Sequence, residues 1–491
     1  MNGNNLTRTL ADWIAGAKPD SLPRRVTEEA KNQVLGMIAA VHAGHFSDAG
    51  RVVTRTVKDW ATGKDATLIP SGERTGLHEA IVGNAALALA LDYDDYLFGA
   101  HTGATAVLAT LAVAEKLGAG GPEFLLAQVL ANEVGGRIGL ASALVVEDPP
   151  LASAVHLAGG VALGASLLRL DGAQTEHALG IALSHASALP TAAYYGSEAK
   201  VVSAAMLAPL GVQAAEFAAN GLRGAHDVLG GERGVLRSLG ERALPGAFSG
   251  LGSVWLTESL GYTVYPGAPY VGAAVDCVLG LVRQHHIDAR KVHAVHVGAG
   301  PHTLAMDARS APYVRGAESL PSTLTQSVAW TVAAALVERE LSPRQFGRDR
   351  IAGNAIWEAA GKVRLTLDDE LARRARERSP LRIAGDDGAT AHLFDLVAVD
   401  VNAFKLALGA RVRIELEGGR SFAAEQEAPA GSGARPFDDR RKAVEDKFRR
   451  ETRYTLRKER MEKAIDIVHH LEDATPAHVR ELTRLCCSEK S

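Results

Sequence analysis

Cysteine is scarce in this sequence of 491 residues, and its scarcity limits the chemistry open to the protein. Cys277, Cys486 and Cys487 form an odd and poorly spaced set, which offers neither a disulfide framework nor paired metal-binding knuckles. An iron–sulfur cluster needs three converging thiolates, whereas two of these cysteines are adjacent in the tail. We therefore expect a reducing compartment and no iron–sulfur cluster.

Long hydrophobic runs and an excess of one charge are also missing. No stretch of about 18 consecutive apolar residues occurs, and the opening MNGNNLTRTLADWIAG lacks the basic end and apolar core of a secretory signal. The formal net charge of −4 provides no field that would hold a nucleic acid or an anionic membrane. Acidic residues interrupt the basic tail 438–464, so a solvated helix face is expected there. These absences predict a cytoplasmic protein without nucleic-acid or membrane partners.

Aromatic residues make up only 5% of the chain, while glycine occurs 50 times. Cores should therefore consist of Ala, Leu and Val with close backbone approach, which favours packed helices. Apolar residues recur at threes and fours up to about residue 250, and Thr27 is a candidate N-cap. The predicted helices cover residues 78–91, 104–118, 122–143, 153–169, 173–187 and 201–220.

The residue pattern changes in the second half of the chain. KVHAVHVGAG, KVRLTLDDE and ARVRIELEGGRSFAAE alternate apolar and polar residues with a period of two, and a helical stretch at 323–339 separates the first two. The loop APAGSGARP and a charged helical segment at 438–489 follow. We predict a helical domain over 1–267, a smaller α+β domain over 268–427, and C-terminal helices over 428–491 that pack back onto the first domain.

The stretch LALDYDDYLFGAHTGATAVLA, residues 89–109, carries three aspartates and a histidine between two runs of small apolar residues. Asp92, Asp94 and Asp95 follow an apolar helix, where carboxylates meet the unfavourable end of the helix dipole. One alternative is that Asp94 or Asp95 caps the next helix. Capping explains one aspartate more easily than three, and it leaves His101 unexplained.

Two further polar side chains lie among small residues. His156 is on an apolar helix beside Gly159, Gly160 and Gly164, which lower helix stability and so indicate close approach of another backbone or a ligand. A lone histidine on such a face is more often a satisfied core residue. Lys200 begins an Ala-rich helix, where a lysine is usually solvated. Taken alone, His156 and Lys200 are each a weak indication of a functional site.

A metal site and a phosphate loop are both disfavoured. In HAVHV, His293 and His296 point to opposite faces of a strand, which suits ordinary strand residues better than metal ligands. VGAGPH at 297–302 is faintly similar to a glycine-rich phosphate loop but lacks the full spacing and the following helix, so we interpret it as a turn. No metal and no cofactor is therefore predicted.

These segments, in this order, resemble the MmgE/PrpD family, which includes 2-methylcitrate dehydratase, cis-aconitate decarboxylase and iminodisuccinate epimerase. The most specific part is ALDYDDYLFGAHTGATAVLATLAVAEKLGAGGPEFLLAQVLANEVGGRIG, which is similar to the family's Asp-aromatic-Asp-Asp segment, its histidine and its Glu-Val…Arg-Ile helix. HLAGGVALGAS, GSEAKVVSAAMLAPLGVQAA and the closing LEGGRSFAAEQEAPAGSG…VEDKF follow in the family's order. The resemblance covers nearly the whole chain.

The resemblance implies a mainly α fold, in which a large helical domain formed from both chain ends carries a smaller inserted α+β domain. It also implies a cleft between the two domains and usually a homodimer. Residue by residue, Asp92, His101, His156 and Lys200 match the family's active-site aspartate, histidines and lysine. The acidic stretch is then a wall of the active site.

Members of the family act on small di- or tricarboxylates, by shifting a proton next to a carboxylate or by expelling a neighbouring hydroxide or CO₂. Such proton removal builds charge that the site must stabilise. The resemblance predicts His101 or His156 as general base or acid, Lys200 as the carboxylate anchor and Asp92 as the group that orients a histidine. The predicted function is a cofactor-independent lyase of the dehydratase type on a 2-methylcitrate-like substrate. An iminodisuccinate-type epimerase, a cis-aconitate-type decarboxylase and a catalytically silent binding protein are the alternatives.

Four positions depart from the family pattern and bear on the substrate. Thr263 replaces a lysine of many members, and Trp330 replaces a tyrosine of the decarboxylase-like members. Tyr96 stands where threonine is usual, and Thr102 where proline is usual. The loss of one cation and one phenol predicts a substrate with fewer carboxylates than methylcitrate, or lost chemistry. The predicted substrate-binding residues are Asp95, Tyr96, Thr263 and Trp330.

Overall fold

The N-terminal half is mostly helical, in agreement with its apolar periodicity. The computed structural model describes residues 5–142, 152–187, 190–238, 243–378, 394–399 and 408–488, so the ends of two predicted helices, residues 143 and 489, lie outside it. A π-helical segment, Ala104–Ala109, runs directly into α5. The helices are α1 (Leu6–Gly16), α2 (Arg24–His45), α3 (Asp48–Trp60), α4 (Leu77–Leu89), α5 (Thr110–Leu117), α6 (Gly121–Ala141), α7 (Ala152–Leu168), α8 (Gly172–Ala182), α9 (Thr191–Gly196), α10 (Ala199–Ala219) and α11 (Val235–Ser238).

Glycine brings α7 and α10 into close contact. A Cβ added at Gly160 would lie 2.5 Å from the carbonyl oxygen of Ala208, and one added at Gly211 would lie 2.3 Å from that of Leu157. Real side chains do not approach a backbone so closely, so both helices need glycine where they cross. The crossing packs α7, and with it His156, against α10.

Two short antiparallel strand pairs lie within the helical domain. β1 (Ala66–Leu68) pairs with β2 (Glu73–Thr75), and β3 (Asp95–Tyr96) pairs with β4 (Gly261–Tyr262). The second pair joins the acidic stretch to the chain just before the smaller domain. The acidic stretch is therefore held from both sides by elements distant in sequence.

The smaller domain is built around a four-stranded sheet. Its strands are β5 (Val292–Ala299), β6 (Val363–Leu367), β7 (Ala410–Leu416) and β8 (Ser421–Gln426), in the spatial order β6-β5-β7-β8. β5 and β6 are parallel, and the other two pairs are antiparallel. The helices of this domain are α12 (Gly272–His285), α13 (Pro301–Ser310), α14 (Pro321–Leu324), α15 (Val328–Glu338), α16 (Arg348–Ile351), α17 (Asn354–Ala360) and α18 (Asp369–Arg378).

Three local expectations are wrong. α2 begins at Arg24, and Thr27 lies inside it, where its hydroxyl donates to the Arg24 carbonyl at 2.8 Å instead of capping. The helix predicted at 323–339 is divided, because Ser327 caps α15 by accepting a hydrogen bond from the Trp330 backbone at 3.3 Å. α13 starts within VGAGPH, with Pro301 at its first position, so the helix thought to be missing there is present.

The C-terminal helices return to the helical domain. They are α19 (Phe437–Thr452), α20 (Lys458–His469) and α21 (Pro476–Leu485), and α19 packs along α2. Between these two helices, Arg440 Nη1 donates to Glu29 Oε2 at 2.8 Å in a buried ion pair. The mainly α fold with an inserted α+β domain is therefore confirmed. The domain boundaries at 267/268 and 427/428 stay predictions.

α10 passes a length and composition test for a membrane span, and among the described residues it is the one helix to do so. Of its most apolar stretch, 56% is buried inside the protein. A buried core helix passes the same test, so α10 is weak evidence for a membrane span. The absence of a membrane partner stays a prediction.

Candidate active site

The acidic stretch follows α4, and its first aspartate, Asp92, has a left-handed backbone conformation. The φ angle of Asp92 is 53°, a region that aspartate enters more readily than most residues. Its backbone N–H donates to the carbonyl of Leu89 at 3.2 Å, and its own carbonyl accepts from the N–H of Gly267 at 3.3 Å. Such conformations cluster at functional sites. The left-handed conformation thus falls on the same aspartate that the family resemblance matched, and five other described non-glycine residues share it.

Asp92 forms a buried ion pair with Lys200. The ammonium of Lys200 lies 2.6 Å from Asp92 Oδ1, and the two side chains are only 8% and 5% exposed. Gln326, from the turn before α15, donates through Nε2 to Asp92 Oδ2. Both carboxylate oxygens are thus engaged, one by each domain.

Two tyrosines support this ion pair. The ammonium of Lys200 lies 4.3 Å above the ring of Tyr194, a favourable cation–π arrangement. The hydroxyl of Tyr270 donates to Gln326 Oε1 at 2.9 Å, which orients the amide toward Asp92. Burial, together with the nearby carboxylates, raises the pKa of Tyr194 well above its usual range, so this phenol stays protonated.

His101 contacts Asp94, and the contact sets its charge. His101 Nδ1 lies 3.1 Å from Asp94 Oδ2, and the imidazole is 30% exposed. Burial alone would lower the pKa of His101, but the carboxylates of Asp94 and Asp92 outweigh it and raise that pKa to about 9. The buried carboxyl of Asp94 responds in the opposite sense, since the imidazole and Lys200 bring its pKa below the usual value. The carboxylate that contacts His101 is therefore Asp94 and not Asp92, which differs from the predicted role of Asp92.

His156 has the opposite charge state. Its Nδ1 lies 3.0 Å from the hydroxyl of Thr105, which belongs to the π-helical segment. Burial lowers the pKa of His156 to about 4, and the charge of His101 acts in the same direction. His156 is therefore neutral at pH 7, whereas His101 is protonated.

Asp95 anchors the start of the next helix. Its Oδ1 accepts from the backbone N–H of Gly103 at 2.9 Å, and its Oδ2 accepts from Gln33 and, at 3.3 Å, from Thr102. The capping alternative thus describes this aspartate. Burial and the neighbouring Asp94 raise the pKa of Asp95 to about 6. Its predicted contact with substrate stays a prediction.

The other three predicted substrate-binding residues are buried and have different contacts. The hydroxyl of Thr263 donates to the carbonyl of Asp94 at 2.6 Å and holds the acidic stretch in place. The ring of Tyr96 lies over Gly261, and burial raises the pKa of its phenol to about 12. Trp330 is fully buried in α15, with its ring 4.5 Å from that of Trp357. Contacts of these three side chains with a substrate stay predictions.

The sequence reasoning missed four contributors to this site. Tyr194 lies six residues before Lys200, and Gln326 immediately precedes Ser327, the N-cap of α15. Neither residue type signals a site without its partners. Lys447 of α19 donates to the carbonyl of Tyr93 at 2.6 Å, and burial lowers the pKa of this lysine to about 7. The fourth is Tyr270, which lies just before α12. Its hydroxyl contacts the amide of Gln326, just before α15.

A metal site was not expected at HAVHV. His296 Nε2 lies 3.3 Å from Glu415 Oε2, while His293 is exposed beside a register shift in β5. Among the described residues, no group of three His, Cys, Asp or Glu side chains is placed to hold a metal ion. The absence of a metal stays a prediction.

Comparison with known proteins identifies the family of the chain. The chain matches the MmgE/PrpD N-terminal domain over residues 8–245 and the MmgE/PrpD C-terminal domain over residues 265–395. It is 25% identical over 420 residues to a cis-aconitate decarboxylase of Aspergillus terreus, a match that covers 79% of this chain and 84% of that protein.

Two further relatives match over shorter lengths. The chain is 29% identical over 241 residues to cis-aconitate decarboxylase of Homo sapiens, which covers 47% of this chain and 49% of that protein. It is 30% identical over 213 residues to the cis-aconitate decarboxylase-like protein oryM of Aspergillus oryzae, covering 40% of this chain and 43% of that protein. Both matches span less than half of the relative. Since the two domain matches together span well over half of the sequence, the chain belongs to the MmgE/PrpD family, which includes lyases that act on carboxylates.

Proposed function

We propose that this protein is a cofactor-independent lyase of the dehydratase type that acts on a small di- or tricarboxylate. The observation that supports this most strongly is the different surroundings of the two histidines: His101 contacts the carboxylate of Asp94, whereas His156 is buried against the hydroxyl of Thr105. His101, with a pKa of about 9, carries a proton at neutral pH. His156, with a pKa of about 4, can accept one. An acid and a base whose environments separate their pKa values are what an elimination needs.

In the proposed reaction, His156 removes the proton from the carbon next to a substrate carboxylate. The electron pair of that C–H bond becomes the new carbon–carbon double bond, and the C–O bond of the neighbouring hydroxyl breaks. His101 gives its proton to the departing hydroxide, so that water leaves. His156 ends protonated and His101 ends neutral, and exchange with solvent restores both.

Lys200 is the proposed anchor for the substrate carboxylate. Proton removal next to a carboxylate builds a second negative charge, which a fixed cation at the site stabilises. The ammonium is held for this purpose between Asp92 and the ring of Tyr194. Among the described residues, Asp94 Oδ1 has no hydrogen-bond partner. We assign it the role of accepting a hydrogen bond from the substrate hydroxyl.

The names of the relatives favour decarboxylation as a second candidate. The three matched proteins are called cis-aconitate decarboxylases or are described as similar to one. Here Thr263 and Trp330 stand in place of a lysine and a tyrosine, so one cation and one phenol are missing. This difference supports elimination over decarboxylation. Epimerisation of an iminodisuccinate-like dicarboxylate would share the first proton removal and return the proton to the opposite face.

Proton NMR in D₂O distinguishes these reactions. The purified protein is incubated with citrate, 2-methylcitrate, cis-aconitate, malate and iminodisuccinate. New vinyl signals from a hydroxyl-bearing substrate support the dehydratase, and a terminal methylene pair from cis-aconitate supports the decarboxylase. Exchange of an α-proton without net loss of substrate supports the epimerase. No change with any of these compounds, together with binding of one, would favour a catalytically silent protein. His156→Ala, folded but inactive, is the matched control.

We also propose that the protein is a cytoplasmic homodimer. Met206, Leu210 and Phe217 lie along one side of α10 and are 52%, 39% and 55% exposed. A stripe of large apolar side chains on a surface helix supports contact with a second copy. Light scattering on the purified chain should give twice the monomer mass, and Phe217→Glu should shift it toward the monomer. A monomeric parent protein would contradict the proposal.

A further inference from the structure

The smaller domain contributes a buried side chain to the carboxylate of Asp92. Gln326 is 1% exposed, and its amide bridges two groups. Its Nε2 donates to Asp92 Oδ2, while its Oε1 accepts from the hydroxyl of Tyr270 at 2.9 Å. The ammonium of Lys200 lies 2.6 Å from the other oxygen of Asp92. Asp92 therefore forms an ion pair with Lys200 of the helical domain and accepts a hydrogen bond from Gln326 of the smaller one.

The segment around Gln326 is itself tied to the residues that precede Lys200. The hydroxyl of Thr323 donates to the carbonyl of Tyr195 at 2.7 Å, and that of Ser322 donates to the carbonyl of Ser197 at 3.2 Å. These bonds hold Gln326 at a constant position relative to the start of α10. The contact with Asp92 therefore depends on the packing of this segment of the smaller domain against the residues before α10.

We propose that Gln326 is a positioning residue that holds the Asp92 carboxylate from the smaller domain and thereby fixes the ammonium of Lys200 for the substrate. This proposal rests on the proposed function and deepens it. An amide suits the position because it presents a donor to Asp92 and an acceptor to Tyr270 at the same time. A hydrogen bond to a charged carboxylate is stronger than one between neutral groups, so the amide restrains the ion pair more than packing alone.

The first test measures backbone hydrogen exchange by mass spectrometry in the full chain, without any substrate. In Gln326→Ala, peptides that cover residues 90–101 and 321–327 should exchange about tenfold faster than in the parent protein, the effect expected when a charge-assisted hydrogen bond is lost. Gln345→Ala is the matched control, because Gln345 is also fully buried in the smaller domain but bonds to Ser342. Equal exchange in the two variants at residues 90–101 overturns the proposal.

The second test separates hydrogen bonding from packing. In Gln326→Glu the introduced group has nearly the same shape, but it donates to Asp92 only when it is protonated. The ratio of its exchange rate to that of the parent protein should be high at pH 8 and fall toward one at pH 5. His101 and His156, whose pKa values lie near 9 and 4, do not titrate within this range, and the titration of Asp95 and Lys447 is common to both proteins. A ratio that does not change with pH overturns the proposal.

A third test measures catalytic activity, independently of hydrogen exchange. With any substrate that the parent protein converts, Gln326→Ala should lower kcat about tenfold, and Gln326→Glu should recover toward the parent value as the pH falls. Tyr270→Phe should show a smaller loss, because it leaves the amide itself in place and removes a hydroxyl that lies 2.9 Å from the Gln326 amide oxygen and 2.8 Å from the Gln326 carbonyl. If the parent protein converts no carboxylate, the proposed function fails, while the exchange measurements still decide the role of Gln326.

Discussion

Two buried ion pairs in this protein have the same chemistry and different surroundings. Glu133 and Arg137 lie one turn apart on α6, both fully buried. Asp92 and Lys200 come from the end of one helix and the start of another, at the contact with the smaller domain. The groups that satisfy each pair differ, and that difference indicates what each pair does.

The first pair is bound mainly by backbone groups. Arg137 donates to the carbonyls of Ala247, Ser249 and Val254 at 2.9, 2.6 and 2.7 Å. Glu133 accepts from the backbone and hydroxyl of Thr257, both at 2.8 Å, and from the backbone of Leu256 at 3.1 Å. The pair therefore fixes the 245–257 segment on α6, and no substrate could replace those partners without unfolding it.

The second pair is satisfied by side chains. Asp92 is held by Gln326, and the ammonium of Lys200 lies against the ring of Tyr194. Side chains can change partner by rotation about their own bonds, whereas backbone groups of a packed segment cannot. A buried ion pair thus indicates a reactive site only when its partners are free to exchange.

The largest expected effect concerns the Glu133–Arg137 pair, whose loss should lower the free energy of unfolding. Arg137→Ala leaves three carbonyls and a buried carboxylate without their partner, so we expect a loss of about 3–5 kcal/mol in the free energy of unfolding. Urea titration measures it. Arg290→Ala, which removes an exposed guanidinium paired with Asp288, should change the free energy little. The folded fraction of Arg137→Ala should keep its catalytic constants, and a selective loss of kcat there would break the comparison.

The next effect is on catalysis at the other pair. Lys200→Ala removes the proposed carboxylate anchor, and kcat/KM should fall about 10²–10³-fold, the range for loss of one charge-stabilising donor. The substrate is the one identified by NMR. Lys58→Ala, an exposed lysine on α3 that pairs with Glu73, is the control and should retain activity. Unchanged turnover in a folded Lys200→Ala protein would place the chemistry elsewhere.

A smaller effect concerns pH. The proposed reaction requires protonated His101 and neutral His156, so kcat/KM should rise with pH through about 4 and fall through about 9. Asp94→Asn removes the carboxylate that raises the pKa of His101, and the alkaline limb should move down toward the unperturbed histidine value of about 6.5. His101→Gln should lack that limb altogether. An alkaline limb that stays near 9 in Asp94→Asn would show that another group is responsible.

The smallest effect tests the support of the acidic stretch. Thr263→Val keeps the shape of the side chain but removes its 2.6 Å hydrogen bond to the carbonyl of Asp94. We expect a loss of about 1 kcal/mol in the free energy of unfolding and a change of a few-fold in kcat/KM. Thermal unfolding and initial rates measure the two. A loss of activity as large as that of Lys200→Ala would instead mean that Thr263 contacts the substrate.

Much of the fold could be predicted from the sequence, because apolar periodicity reflects burial directly. The helices α4, α6, α7 and α10 begin and end within two residues of the predicted positions, and the period-two segments form β5 to β8. The short helix α9 was not predicted, and α8 ends earlier than expected. The glycine cluster near His156 correctly indicated a close backbone approach. The errors are local and concern helix starts, where one hydroxyl can bond to several competing backbone groups, as at Thr27 and Ser327.

The candidate site could be predicted only in part. Asp92, Asp94 and Asp95 are indistinguishable by composition, yet the structure gives them three different partners: Lys200, His101 and the backbone of Gly103. The donor that each carboxylate oxygen contacts depends on the left-handed backbone of Asp92. It also depends on helices, such as α10, that lie more than a hundred residues away in the sequence. Gln326 and Tyr270 carry no motif, because an amide and a phenol acquire a role only from what they face.

The sequence by itself determined the fold class, the family resemblance and the identity of the polar residues, since these follow from residue type and order along the chain. Only the tertiary structure decided the charge states and the pairing. A pKa depends on burial and on charges within a few ångströms, and those distances exist only after the two domains have packed. That physical reason raises the pKa of His101 and lowers that of His156, although both are histidines among small residues.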